Sequence, residues 1–263
     1  MDKSALLDRM GGNREDRLLL AKILDRAAQS QNHNTFAATD FLTPQQQSVV
    51  SALLRLAEIA ENCYIMTGGY DGAERKICLF LPGWADGESV EPPLHFIRAE
   101  FRPEAKLTHR DILGSLMGLG IAREKIGDIL LTDAGADVVT AESVSGFLIQ
   151  NWSTAGRETL HIVPIDAAQM HFPEVKFQEI RDTVSSLRLD AVLASGLRLS
   201  RTKATALIAA GRVQVNWKEC LKADKPLVAQ DVITVRGYGK MELAAVNGLT
   251  RKGRLSITIK RFL

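Results

Sequence analysis

Residues 199–220 read LSRTKATALIAAGRVQVNWKEC. They place Arg201 and Lys203 at the front of a helical pattern, and Arg212 and Lys218 on the alternating stretch RVQVNWK that follows. Cations at both ends of one short helix-strand unit suit phosphate. An arginine guanidinium can hold two phosphate oxygens at once, and a helix N-terminus adds free N–H groups and the positive end of its dipole. Other chemistry is poorly supplied. His33, His95, His109, His161 and His171 show no metal-ligand spacing, and Cys63, Cys78 and Cys220 offer neither a zinc site nor a disulfide framework. His109 is read as a first-turn helix residue, with no carboxylate or nucleophile partner visible in the sequence. The glycine-rich GSLMGLG at 114–120 lies within and after a helix, where its GxxxG spacing suits close packing rather than a cofactor loop that follows a strand. No active site, metal or cofactor is expected.

The charge distribution agrees with a phosphate partner. The chain of 263 residues has a formal net charge of +2, but residues 181–263 carry 16 Lys and Arg against 6 Asp and Glu, a net of +10. Residues 1–180 carry 17 against 25, a net of −8. A basic module on an acidic remainder is the footprint of nucleic-acid binding that weakens steeply with salt. No run approaches the roughly 18 consecutive apolar residues of a membrane helix. The N-terminus MDKSALLDRMGGNRED has charges where a signal peptide has its apolar core, so a cytoplasmic protein without membrane contact is expected.

The elements that must position these residues follow from periodicity. Residues 1–62 read as a helical region: EDRLLLAKILDRAAQSQ and QQQSVVSALLRLAEIAEN have helical spacing, the second with Pro44 in its first turn. Residues 63–166 read as an α+β domain. CYIMTGG and RKICLFL are strands joined by GGYDGAE, LHFIRAEF is a third, THRDILGSLMGLG is a helix capped by Thr108 and Asp111, GDILLTDAGADVVTAE is a hairpin turning at 133–135, SVSGFLIQNW is a helix and ETLHIVPI a last strand. This is the pattern of small RNA-recognition sheets layered on helices. Residues 167–185 are expected to be a linker, and 186–263 two helices and a small sheet. In that last part Ser200 is the N-cap and Gly211 the C′ glycine of the second helix, Asp190 caps the first helix, and Leu207, Ile208, Val213 and Val215 are core. The hairpin after RVQV turns on Asn216-Trp217. Trp217 either seals the hairpin or presents its ring to a partner.

The ordered pieces RLD, SR, AGRVQVN, KP and DVITV closely resemble the S4 RNA-binding domain over roughly 50 residues. TDFLTP, GGYDGAERK, HRDILGSLMGLGIAREKIGDI and VRGYGK extend the likeness to the YlmH family along nearly the whole chain. The S4 likeness implies that Arg188, Arg201, Lys203, Arg212 and Lys218 contact RNA phosphates, with Arg198 and Arg236 as further candidates. The family likeness implies a multidomain α+β protein, an RRM-like middle domain and a C-terminal S4 domain. It also implies a non-catalytic factor on the large ribosomal subunit that contacts rRNA and tRNA in quality control of stalled nascent chains. Partners would be structured RNA and possible ribosomal proteins or quality-control factors, with a monomer off the ribosome. Two alternatives are an rRNA- or tRNA-modifying enzyme targeted by its S4 domain, and a protein-docking factor linked to cell division. RLD echoes the catalytic aspartate motif of pseudouridine synthases, but only 73 residues follow Asp190.

Overall fold

The computed structural model describes residues 2–85, 87, 90–102, 104–132, 135–173 and 176–262. They fall into two compact units, 1–173 and 174–263, and the fold is α+β. Among the described residues no helix is long and apolar enough to cross a membrane.

The first unit has four layers. Helices α1 (Lys3–Met10), α2 (Arg14–His33) and α3 (Pro44–Leu56) pack on one face of a three-stranded sheet ordered β1 (Ala37–Ala38), β3 (Ile77–Phe80), β2 (Tyr64–Thr67). The helix starts obey their sequence signals. Thr43 and Gln46 form a capping box ahead of Pro44, and Asn13 and Asp16 form another ahead of α2. A second, four-stranded antiparallel sheet is built from β4 (Leu94–Glu100), α4 (His109–Gly118), β5 (Ile126–Thr132), β6 (Gly135–Ala141), α5 (Glu142–Asn151) and β9 (His161–Ile165), after the short pair β7 (Thr154–Ala155) and β8 (Glu158–Thr159). Its order is β5-β6-β4-β9, the split βαββαβ arrangement of RNA-recognition sheets. Thr108 and Asp111 cap α4 as expected. Of the expected hairpin turn at 133–135, residues 133 and 134 lie outside the described residues.

Two faces of these sheets meet. The inner face of the four-stranded sheet, with Ile97, Ala99, Ile129 and Val138, packs on Ile112 and Leu116 from α4, Leu148 from α5 and Trp152 at the α5 C-cap. Its other face carries Leu94, Phe96, Val139 and Ile165, which cluster with Ile77 and Leu79 of β3 and with Phe41 and Met170. The strands at 64–80, expected to open the middle sheet, instead belong to the N-terminal sheet and cover the middle one. Both faces of β3 are apolar, and all four of its residues are buried, as in a strand between two layers.

The second unit is a six-stranded antiparallel sheet ordered β10 (Phe177–Val184), β15 (Leu255–Phe262), β14 (Gly239–Leu249), β13 (Val232–Val235), β11 (Val213–Val215), β12 (Lys218–Glu219). Helices α6 (Leu189–Leu197) and α7 (Arg201–Ala209) cover the face bearing Ile180, Val213, Val215, Ile233, Met241, Leu243, Ile257 and Ile259. The 167–185 stretch, expected to be a linker, does two structural jobs. Met170 is buried in the first unit, and 177–184 pairs residue for residue with β15. The 114–120 glycines also differ from expectation: around Gly114 and Gly118 a Cβ would meet nothing within 4 Å, so their spacing packs against no neighbour.

Candidate nucleic-acid interface

Two of the seven candidate cations meet on one buried carboxylate. Arg188 occupies the N-cap position of α6 and Arg201 the first residue of α7. Asp190, in the first turn of α6, is only 5% exposed. The Arg188 Nε and Nη2 donate to its two oxygens at 3.2 Å each. From the other side the Arg201 Nε and Nη2 donate at 3.0 and 3.2 Å. Burial raises the Asp190 pKa, but the hydrogen bonds from Arg188 and Arg201 outweigh it and hold the carboxyl below its ordinary value. Asp190 is therefore no cap, as the sequence suggested. It is a charged anchor that fixes the planes of two guanidiniums.

Those guanidiniums remain available on their outer edges. The Arg188 and Arg201 side chains are 43% and 51% exposed. They border a shallow depression along α7 floored by Thr202, Thr205, Ala206 and Ala209, small residues that let a chain approach the helix closely. On the far side of Arg201 a second depression includes Asp182, Ser195 and Arg254. Arg254, absent from the sequence-based set, is tied by its guanidinium to the Thr183 hydroxyl and carbonyl.

The other candidates are arranged differently. The Arg212 Nη2 donates to the Arg236 carbonyl at 2.7 Å, and the Arg236 N–H donates back to the Arg212 carbonyl, joining the start of β11 to the end of its partner strand β13. Lys203 is exposed in the first turn of α7, where its N–H donates to the N-cap Ser200 Oγ at 3.2 Å. Lys218 is exposed on β12, and Arg198 is an exposed left-handed C-cap of α6. The seven candidates thus resolve into an Arg188–Arg201 pair, an Arg212–Arg236 pair and three separate cations.

The first unit contains its own basic motif residues, and the structure accounts for them without a ligand. Asp128 accepts from the Tyr70 hydroxyl and from the backbone N–H groups of Glu74 and Arg75, at 2.7, 2.7 and 3.0 Å. The Arg75 guanidinium donates to the carbonyls of Ile126, Phe41 and Arg123, and Arg123 donates to those of Ile126 and Gly127. Burial, reinforced by Arg123, lowers Arg75 to about 10. The GGYDGAERK loop is thus a clasp between the two sheets. Gly69, at φ 89°, lies so close to Phe96 that a Cβ would come within 2.6 Å of its ring.

Asp137 completes the seal on the middle sheet. Its cross-strand partner Arg98 donates to it through Nε and Nη2 at 2.7 and 2.8 Å, and the His171 N–H adds a third bond at 2.6 Å. The face that RNA-recognition sheets use for stacking bases is closed by the chain's own 166–172 segment and N-terminal sheet.

Three family profiles match the chain in order: "YlmH, N-terminal" over residues 15–79, "Putative RNA-binding domain in YlmH" over 100–169 and "S4 domain" over 187–233. The ribosome-associated protein quality control protein P2 of Bacillus subtilis (strain 168) is 31% identical over 249 residues, which make up 94% of this chain and 96% of that relative. A solved structure titled cell division protein ylmH from Streptococcus pneumoniae is 20% identical, covers 60% of this chain and 96% of its own, and superposes with a TM-score of 0.48. The S4 match spans the Arg188–Asp190–Arg201 anchor, and the relative extends along almost the whole sequence. The chain belongs to the YlmH family.

Proposed function

We propose that this protein is a non-catalytic, cytoplasmic RNA-binding factor that associates with the large ribosomal subunit. There it contacts rRNA and tRNA during quality control of stalled nascent chains, and off the ribosome it is a monomer. The observation that carries the reading is the pair of half-exposed guanidiniums held on one buried carboxylate, at the start of α7, inside a region of net charge +10. Two pre-oriented guanidiniums lose little freedom on meeting phosphate, and a rigid basic surface is sufficient to recognise structured RNA by shape. The name of the Bacillus subtilis relative, a ribosome-associated quality control protein, supports the ribosome as the place of action.

Co-sedimentation with ribosomal subunits across a salt series tests it. Wild type is expected to pellet with the large subunit, with affinity falling as salt rises. Arg201→Ala is expected to weaken binding by about tenfold or more, the range for a lost charge-assisted bond, and to reduce the log–log salt slope by about one. Wild type that stays in the supernatant at low salt would overturn the reading, and undiminished binding by Arg201→Ala would remove the anchor from it.

A further inference from the structure

The six-stranded sheet has a second face that the helices leave uncovered. Along β10 the residues pointing away from α6 and α7 are Phe177, Glu179, Arg181 and Thr183, and along β15 they are Ser256, Thr258, Lys260 and Phe262. All are exposed or partly exposed, while Ile180, Val184, Ile257 and Ile259 on the other side are buried. Phe177 and Phe262 are direct cross-strand partners, so both side chains leave the sheet on the same face from opposed positions. Phe177 is 43% exposed. Each ring has a lysine over it: the Lys260 Nζ is 5.1 Å from the Phe177 centroid and the Lys240 Nζ 5.3 Å from that of Phe262.

We propose that this face, centred on Phe177 and Phe262, binds unpaired nucleotides of RNA by stacking bases on the two rings. The inference rests on the RNA-binding reading above and adds a second surface, on the side of the sheet away from α6 and α7. Two aromatic side chains on one face of an antiparallel sheet with cations among them are what sequence-tolerant single-strand binding needs, because every base has a π-face and the backbone carries a charge at every step. Lys240 and Lys260 stand over the rings in the free protein; an entering base displaces their ammonium groups from the ring faces, and on their flexible stems they then meet the phosphates between stacked bases. In the next row Lys260 stands between Glu242 and Glu179, its partners on the two neighbouring strands. These carboxylates can accept from base amino groups and 2′-hydroxyls, although Glu179 is also paired with Arg181 at 2.7 Å. The region's charge of +10 favours RNA over a basic protein as the occupant, and the polar rows around the rings offer no apolar groove for a helix. The S4 unit then grips a structured element beside α7 and an unpaired strand on the opposite face, as a protein joining two RNA elements requires.

The test uses the full chain, a short unstructured oligoribonucleotide carrying a fluorophore, and anisotropy at low salt. Wild type is expected to bind, and the Phe177→Leu/Phe262→Leu double variant, which keeps apolar bulk but removes the ring faces, is expected to bind about tenfold or more weakly, as loss of one or two stacked bases predicts. Arg201→Ala should leave oligonucleotide binding intact while it weakens subunit co-sedimentation, so the two surfaces fail separately. Absent wild-type binding to the oligonucleotide, or wild-type affinity in the double leucine variant, overturns the proposal. Loss of oligonucleotide binding only in Arg201→Ala does so too, by moving the strand to the α7 groove. Should the leucine variant melt below wild type, Lys240→Glu/Lys260→Glu probes the same face: lost binding supports the site and retained binding refutes it.

Discussion

The middle sheet and the C-terminal sheet are both antiparallel and both backed by two helices, yet they end up with opposite uses for their second face. In the middle sheet that face is apolar, with Leu94, Phe96, Val139 and Ile165, and it is roofed by another layer of the same chain. In the C-terminal sheet it is a mixture of Glu179, Arg181, Thr258 and Lys260 around two phenylalanines, and none of the unit's described residues covers it. Architecture alone therefore does not assign RNA binding. A sheet with the strand order of an RNA-recognition domain has spent its recognition face on stability, and the sheet beside the S4 helices has kept its own open.

The seal is the strongest place to break this contrast. Asp137 is 1% exposed and depends on Arg98 for charge compensation. Arg98→Ala leaves a buried carboxylate with no cation, which is expected to lower the unfolding free energy of the first unit by about 3–5 kcal/mol. Urea denaturation measures this. At temperatures where the variant stays folded, subunit binding should match wild type. Weakened binding by a folded Arg98→Ala protein would mean that the middle sheet takes part in recognition after all.

A smaller effect is expected where charge serves orientation. Asp190→Asn keeps the shape of the anchor but turns one acceptor into a donor facing two guanidiniums. The loss is expected to be about 1–3 kcal/mol at neutral pH, the range for hydrogen bonds to charged groups. The folded carboxyl lies below its unfolded value, near 3.9, so its contribution is complete above that pH and fades as pH falls through the folded value. The gap between wild type and Asp190→Asn in thermal melts should accordingly close in acid. Subunit binding should weaken although the variant gains a unit of positive charge. Tighter, more salt-sensitive binding would show that net charge outweighs orientation.

Much of this was legible in the sequence because the signals are local. The capping box at Thr108, Pro44 in the first turn of α3, the N-cap Ser200 and the buried Leu207, Ile208, Val213 and Val215 follow from spacing within a few residues. What failed was non-local. FQEIRDTV, taken as linker, has apolar residues at 177, 180 and 184, a spacing closer to a helix than a strand, because Asp182 occupies an inward position to accept from the Ser195 hydroxyl at 2.6 Å. The long strand β14 was not anticipated, since its bulges between Leu243 and Ala245 and between Val246 and Leu249 break the alternation. At the site, Arg188 and Arg201 could be named from their type and place. That one carboxylate, eleven residues before Arg201, would hold both was invisible until α6 and α7 were packed together.

The smallest expected effect concerns the tip of the open sheet. The two-residue loop between Val215 and Lys218 has positive φ at both positions, 48° at Asn216 and 61° at Trp217, the signature of a type I′ turn. Asn216 is well suited to it. Its side chain donates to Asp231 at 2.7 Å and accepts from the Val232 N–H at 2.8 Å. Trp217 is not: an L-residue with a large side chain in the left-handed region costs about 1–2 kcal/mol, which glycine avoids. Its ring is partly exposed and lies outside the buried core of the unit, so little packing offsets the strain. Trp217→Gly is therefore expected to raise stability by about 0.5–1 kcal/mol, a few degrees in a thermal melt. A lower melting temperature would show that the indole seals the hairpin more firmly than the turn strains it. A stabilised variant that binds the oligoribonucleotide less well would instead add Trp217 to the aromatic surface of the open face, as strain retained for contact with RNA.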